Sequence, residues 1–536
     1  MFNRKKKDTE RLKATFGDIK KDSFDFNLIE KYFRNKDNSK NYQVLSDKTC
    51  NDLDFDELFM FLDRTNSKVG QQYLYNRLRV ISHNENNTQL NEDVITKLSN
   101  DDHFRISIQR KLENLKNNDA YNITSLFQEK HTTPPKWFLI VKLLAFTSLA
   151  SLILAFFDPM FFMVLLGVFI INFAIHFWNK RNLTQYISSI PQLLRLNNVA
   201  AHLFENEQLK LINPELPKSI RVINQVKNRM SFFQLETKLQ GEFEIILWFF
   251  FEIFKTMFLL EPLLLFGVLK RLDTKRNEIE HVFDFVGKID SLISITALRS
   301  KLNTFCKPEI GVNTTIEAKD IYHPLIIDCK TNNINISEKS VLLTGSNMSG
   351  KTSFIRAMGL NMITGLTINT CFAKSMSFPL MRVFSAIRIS DDLMNDKSYY
   401  FEEVLTIKEM ITESQSGKRN LFLLDELFKG TNTIERISAG KAILSALAKG
   451  DNKVLVSTHD IELTDMLSDD YELYHFSEIL NDKNVGFDYK LKAGKLTNRN
   501  AIRILEINDY PESVIKEAIT ISKTLDKPYI KHKTVQ

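Results

Sequence analysis

Lys351 and Thr352 close the stretch GSNMSGKT, residues 345–352, which satisfies the spacing G-x-x-x-x-G-K-[ST]. In that spacing the glycines let backbone N–H groups wrap phosphate oxygens, and the helix that follows adds the positive end of its dipole. Gly345, Ser346, Asn347, Met348, Ser349, Gly350, Lys351, Thr352 and Ser353 are therefore the expected contacts for the phosphates of ATP. Lys351 is expected to reach the β and γ phosphates, and the Thr352 hydroxyl to bind Mg²⁺. A second run, NLFLLDE, ends in Asp425 and Glu426. Four apolar residues deliver Asp425 to the metal as its second protein ligand, and Glu426 to the attacking water as a base. A third run, KVLVSTHD, sets His459 just past its end, where a neutral imidazole can donate to the γ-phosphate. A lone histidine or an acidic strand end is ordinary surface chemistry. The three at the ends of three apolar runs read as a site for ATP hydrolysis, and the chain as an ATPase.

The elements that must position these residues follow from the pattern. SVLLTG, NLFLLDE and KVLVSTH are short apolar runs that end in polar residues, as parallel strands do when a site lies at their carboxyl ends. Strands alternate with helices from about residue 304, which predicts an α/β phosphate-loop domain over 304–536. The first half reads as all-α. In DFDELFMFLDRTNSKVGQQYLYNRLRVI, Leu58, Phe61, Leu62, Val69, Tyr73, Leu74 and Leu78 recur at helical spacing.

Two apolar segments interrupt that helical half. Trp137–Phe157 holds a single charge, Lys142, and Met160–Trp178 holds none with His176 counted as neutral. Each has about 20 residues, enough to cross ~30 Å of hydrocarbon as a helix. Asp158-Pro159 stands between them as a hairpin tip, and Trp137 and Trp178 mark the outer ends. Lys136, Lys180 and Arg181 lie on the shared outer side, which the positive-inside bias makes cytoplasmic. The bland alternative, a buried hairpin of a soluble domain, would carry polar residues every few positions. The run 245–269 is apolar too, but it carries Glu252, Lys255, Glu261 and Pro262, and reads as a buried or membrane-surface helix. The expected organisation is an N-terminal segment 1–45, a first part of a helical core 46–135, a transmembrane hairpin 136–181, a second part of the core 182–303, and the ATPase domain 304–536.

The bulk numbers fit several domains. The 536 residues exceed one hydrophobic core, and a net charge of +6 permits an anionic partner without demanding one. Cys50, Cys306, Cys329 and Cys371 are far apart and form no CxxC pair, which suggests a reducing compartment.

The motifs together resemble the MutS mismatch-repair ATPases. GSNMSGKTSFIRAMG is similar to that family's G-P-N-M-x-G-K-[ST] loop, with Ser346 at the usual proline. LLDELFKGTNTIERISAG resembles its LLDE segment through Gly430, Thr431 and Thr433, and STHDIELTDM its TH-x-x-ELT segment through His459, Glu462, Leu463 and Thr464. SDDLMNDKSYYFEE is similar to its DDL…STF-x-x-E signature at Asp391, Asp392, Leu393, Ser398 and Glu403, with Tyr399 and Tyr400 at the usual Thr-Phe. YHPLI, from Tyr322 to Ile326, resembles the element that opens the family's ATPase domain, and NAIRILEINDYPESVIKEA its C-terminal helices. LFMFLDRTNSKVGQQYLYNRL resembles the start of its helical core.

The resemblance implies a homodimer through paired ATPase domains, with Ser398 acting in trans on the nucleotide held by the partner's loop, and DNA as a partner. Family members that read mismatches carry a separate N-terminal domain with a Phe-x-Glu wedge. Residues 1–45 are too few for it, Phe55-Asp56-Glu57 falls in the core's opening helix, and the apolar hairpin stands where the family inserts its DNA clamp. Direct mismatch reading is therefore not expected. The expected protein is an ATP-binding and hydrolysing, nucleotide-gated dimer, anchored by 137–178 in the inner or cytoplasmic membrane with its ATPase domain in the cytoplasm. Two other readings stand beside it: a transport-type ATPase, and a membrane scaffold that uses ATP to control assembly.

Overall fold

The computed structural model describes residues 2–83, 88–238, 242–311, 314–346, 348–388, 399–428, 431–481, 484–496, 501–507 and 510–525. They form two compact units that do not follow chain order: 1–40, 59–79 and 84–302 in one, and 41–58, 80–83 and 303–536 in the other.

The first unit is helical. Helix α1 (Lys68–Arg79) packs along α6 (Arg276–Arg299). Gly70 permits this approach, because a Cβ there would stand 2.2 Å from the Asp290 carboxylate. Asp290 is fully buried and accepts from the backbone N–H of Asn66 at 2.9 Å and of Ser67 at 2.8 Å, so it fixes the residues that lead into α1, where Ser67 Oγ accepts from the Gly70 N–H at 2.9 Å as the cap. Leu62, Val69, Leu74 and Leu78 are buried as the apolar spacing requires.

The apolar segments form α2 (Phe138–Leu154) and α3 (Met160–Phe204). α3 is long and apolar enough to cross a membrane, and 17% of its apolar window is buried. The Trp137 and Trp178 rings meet edge to face at 5.0 Å. α3 does not stop near Arg181, where the hairpin was expected to end; it continues as one helix of 45 residues, because beyond Lys180 the sequence keeps an apolar face that the unit buries at Leu183, Tyr186, Ile190 and Leu193.

Residues 245–269 also depart from the single helix expected. They lie in α4 (Glu242–Met257) and α5 (Leu260–Leu272), broken at Leu259, which takes the left-handed conformation with φ 47°. Pro262 explains the break. Its ring would clash with the carbonyl four residues back in a continuous helix, and is tolerated in the first turn of a new one.

Among its described residues the second unit holds four sheets, two of them two-stranded: Gln43–Val44 with Val80–Ile81, and Glu478–Asn481 with Asn484–Phe487. β1 (Glu309–Gly311), β2 (Ile316–Ile321), β3 (Asn332–Ile336) and β5 (Ser375–Pro379) pair in the order β1-β5-β2-β3. The larger sheet contains β4 (Ser340–Thr344), β6 (Arg382–Ala386), β7 (Asn420–Asp425), β8 (Lys453–Ser457), β9 (Tyr471–His475) and β10 (Lys492–Ala493). Its order is β10-β9-β4-β8-β7-β6, parallel except for the edge strand β10. β4, β8 and all of β7 but its last residue are buried, as both-face coverage of a parallel sheet demands. The helices of the unit include α7 (Lys351–Ile368), α8 (Tyr399–Ser414) and α9 (Thr433–Leu447).

Residues 41–45 were expected in the N-terminal segment and 46–58 in the helical core, but 41–58 belong to this unit. The Gln43 side-chain amide exchanges two hydrogen bonds with the Val383 backbone, at 2.7 and 2.8 Å. Buried Asp52 accepts from the Ser385 hydroxyl at 2.7 Å and from the backbone N–H of Ile387 at 3.0 Å and Arg388 at 2.8 Å. Asp54 pairs with Arg356 at 2.8 Å and with Arg388.

Candidate active site

β4 ends at Thr344 and the chain turns at once through Gly345, whose φ is 148°. A Cβ at Gly345 would stand 2.7 Å from the Phe476 carbonyl oxygen and 2.9 Å from Ser349 Oγ, so the turn admits glycine alone. Ser349 Oγ donates back to the Ser346 carbonyl at 2.8 Å and ties the loop across its waist. Gly350, with φ 105°, closes it and sets Lys351 as the first residue of α7.

The Lys351 ammonium is buried and donates to the carbonyls of Gly345 at 2.9 Å and Ser346 at 2.8 Å. One turn of loop therefore holds both the cation and the N-terminus of α7, a concentration of positive potential suited to phosphate. Thr352 Oγ1 donates to Asp425 Oδ2 at 2.8 Å, and the Ser457 hydroxyl donates to Asp425 Oδ1. Asp425 ends β7 and Ser457 ends the neighbouring strand β8, so the parallel register fixes both. Glu426 follows in the left-handed region, φ 51°, with its N–H on the Ser457 carbonyl at 3.0 Å. A glutamate held there costs about 1–2 kcal/mol, which marks a conformation imposed by its surroundings. His459 Nε2 lies 2.7 Å from Glu426 Oε1.

The expected residues Gly345, Ser346, Met348, Ser349, Gly350, Lys351, Thr352, Ser353, Asp425, Glu426 and His459 thus meet at the carboxyl ends of β4, β7 and β8. Asn347 and Ser398 lie outside the described residues, as do Asp391, Asp392, Leu393 and Gly430. Glu403, on α8, is buried and accepts from the Phe428 N–H at 2.7 Å; Phe428 itself sits at φ 57°. Glu403 therefore holds the turn that follows Asp425-Glu426, a positioning role its place in a motif did not announce. Arg436 clamps Asp460 at 2.9 and 2.6 Å and steadies the turn after His459.

A cavity of about 570 Å³ opens beside the loop. Lys351, Thr352 and Glu426 line one part, and the rings of Tyr322, Phe476 and Tyr489 another. His323 is also in its wall; burial, and then the Arg356 guanidinium, push its pKa down to about 4, so it is neutral at ordinary pH. Nothing in the separate sequence runs signalled that Tyr489 would close over Gly350, where its ring approaches to 3.2 Å of a Cβ position.

Residues 341–526 match the family model of MutS domain V. That stretch contains every strand-end residue described above. The DNA mismatch repair protein MutS of Aquifex pyrophilus is 29% identical over 269 residues, which cover 48% of this chain and 31% of that protein. The MutS proteins of Listeria welshimeri and Staphylococcus aureus are 27% and 26% identical, over 50% and 46% of this chain and 32% and 29% of theirs. The chain spans about a third of the length of these relatives. Residues 341–526 are thus similar to MutS domain V, and about half of the chain is similar to part of these MutS proteins.

Proposed function

We propose that the chain binds and hydrolyses ATP, pairs through its nucleotide sites, acts on DNA, and is held to the cytoplasmic face of a membrane by α2 and α3. The observation that carries the enzymatic part is the convergence of Lys351, Thr352, Asp425, Glu426 and His459 on the ends of three adjacent parallel strands. Lys351 and the N–H groups that open α7 hold the β and γ phosphates. Thr352 Oγ1 and Asp425 Oδ2, 2.8 Å apart, form a donor pair suited to Mg²⁺, which binds through one or two carboxylates plus phosphates and water. When bound, the ion neutralises charge on the phosphate oxygens. Glu426 accepts the proton of the attacking water. Its carboxylate has acceptor sites beyond the one His459 occupies, so His459 can orient the base while facing the γ-phosphate. Ser398 would cover the partner's nucleotide, which makes ATP part of the dimer interface.

The DNA role rests on the names of the MutS relatives, and the dimer on the MutS resemblance. The membrane role rests on α2 and α3, whose large apolar side chains face outward from Leu139 to Phe177 while Ser148, Ser151 and Asn172 are buried.

Lys351→Ala should lose ATP binding. Glu426→Gln should bind ATP and hydrolyse it at least about a hundredfold more slowly, the usual scale for a lost general base. Equal turnover in Glu426→Gln and the parent, measured as phosphate release, would remove Glu426 from the chemistry.

A further inference from the structure

α4 is inside out for a helix of a water-soluble body. Ile246, Phe249, Phe250 and Phe254 are 61%, 57%, 64% and 51% exposed and share one face. Lys255 and Glu261 are buried and Glu252 nearly so. These charged groups meet the polar residues of α3. Glu252 takes Lys255 at 2.6 Å, His176 at 3.1 Å, and Lys180. Glu261 takes Lys255 at 3.3 Å and Asn179 at 2.8 Å. Two carboxylates and two ammoniums balance in this cluster, with His176 counted as neutral. Charge turned inward and neutralised, with phenylalanines turned outward, is the arrangement hydrocarbon imposes.

The level of α4 can be read against α3. The Met257 carbonyl accepts from Asn172 Nδ2 at 2.7 Å, one turn closer to the hairpin tip than the contact of Glu252 with His176. Asn172 is six residues on the tip side of Trp178, roughly 9 Å along a helix. At Leu259 the chain reverses, and α5 returns beside α2, with the Phe266 ring 5.1 Å from that of Phe138.

We infer that α4 and α5 form a re-entrant helical hairpin whose turn at 257–259 enters the acyl region of one leaflet beside α2 and α3, sealed on its inner side by the Glu252–Lys255–Glu261 ion cluster. This inference rests on the membrane reading of α2 and α3. Both ends of a re-entrant hairpin lie on one side of the bilayer, so residues before and after it stay in the same compartment. Aromatic and aliphatic side chains of α4 would contact lipid chains of the bilayer that takes the hairpin.

The test uses the full chain in vesicles of phosphatidylcholine and phosphatidylglycerol with acyl-chain spin labels. Phe146→Cys on α2, Phe254→Cys on α4 and Leu211→Cys, an exposed position outside the apolar surface, each carry a polarity-sensitive fluorophore; the parent chain gives the background of the native cysteines. Loss of fluorescence at 254 comparable to that at 146, with none at 211 and less at Ile246→Cys, is the expected result. Quenching at 146 without quenching at 254 overturns the re-entrant hairpin and leaves the anchor standing. Absence of quenching at 146 overturns both. Phe250→Cys, on the same stripe, repeats the reading where a label at 254 disturbs packing.

Discussion

Replacing His323 with asparagine should flatten the acid limb of stability of the second unit. The His323 ring is buried, and Nδ1 accepts from the Leu325 N–H at 3.3 Å. Its pKa falls from 6.5 to about 4, chiefly through burial, then through Arg356, with Asp54 pulling the other way. The sign follows from proton uptake. Below about pH 6.5 the unfolded chain binds a proton that the folded chain refuses until about pH 4. Stability that is complete above the upper value is therefore lost as pH falls towards the lower one. At about 1.4 kcal/mol per pH unit, that drop is worth about 3 kcal/mol. Asparagine can accept from the same N–H and has no proton to gain. The assay is hydrogen exchange of the β7 amides in the full chain, corrected for the intrinsic pH dependence of exchange. Between about pH 7 and about pH 4 the opening free energy of the parent should fall by about 3 kcal/mol more than that of His323→Asn. Parallel curves would mean that the imidazole titrates normally, and that its neutral, buried state in the cavity wall is wrong.

Asp52→Ala should destabilise the second unit by at least about 3 kcal/mol, because it strands two backbone N–H groups and a hydroxyl; a chemical-denaturation midpoint unchanged from the parent would separate 41–58 from this unit. Gly345→Ala should weaken binding of a fluorescent ATP analogue at least about tenfold, since its Cβ would meet a carbonyl oxygen at 2.7 Å. Gly417→Ala, where a Cβ meets open space, should leave that affinity unchanged. Ser398→Ala and Lys351→Ala should each be inactive alone and partly active when mixed, because one dimer site then has both wild-type residues; full activity of Ser398→Ala alone would end the trans role.

The candidate site was legible because each of its parts carries its own geometry. A glycine at each bend, a lysine at the helix start and an acid after four apolar residues fix their positions within a few residues of chain. The same local reading failed where partners are far apart in sequence. Asp52 sits in a short polar helix and looks like a surface residue; the groups that donate to its carboxylate come from Ser385 in β6 and from Ile387 and Arg388 just past it. Glu252, Lys255 and Glu261 looked incompatible with an apolar surface, because nothing in 245–269 shows that His176, Asn179 and Lys180 face them. The end of α3 was missed for a different reason. Lys180 and Arg181 mark a change of composition, and a helix can cross such a boundary without ending.

That continuity has a mechanical consequence. Forty-five residues in one helix make a rod about 68 Å long, from the hairpin tip to Phe204. A rod transmits angle: a tilt of about 5° at one end displaces the other by about 6 Å at this length. Pro191 is its one built-in weak point, since it removes a hydrogen bond from the ladder at a place where the helix is buried on its packed face. Whatever turns the part of α3 beyond Pro191 about that joint must also be worked against the lateral stiffness of whatever surrounds its apolar part.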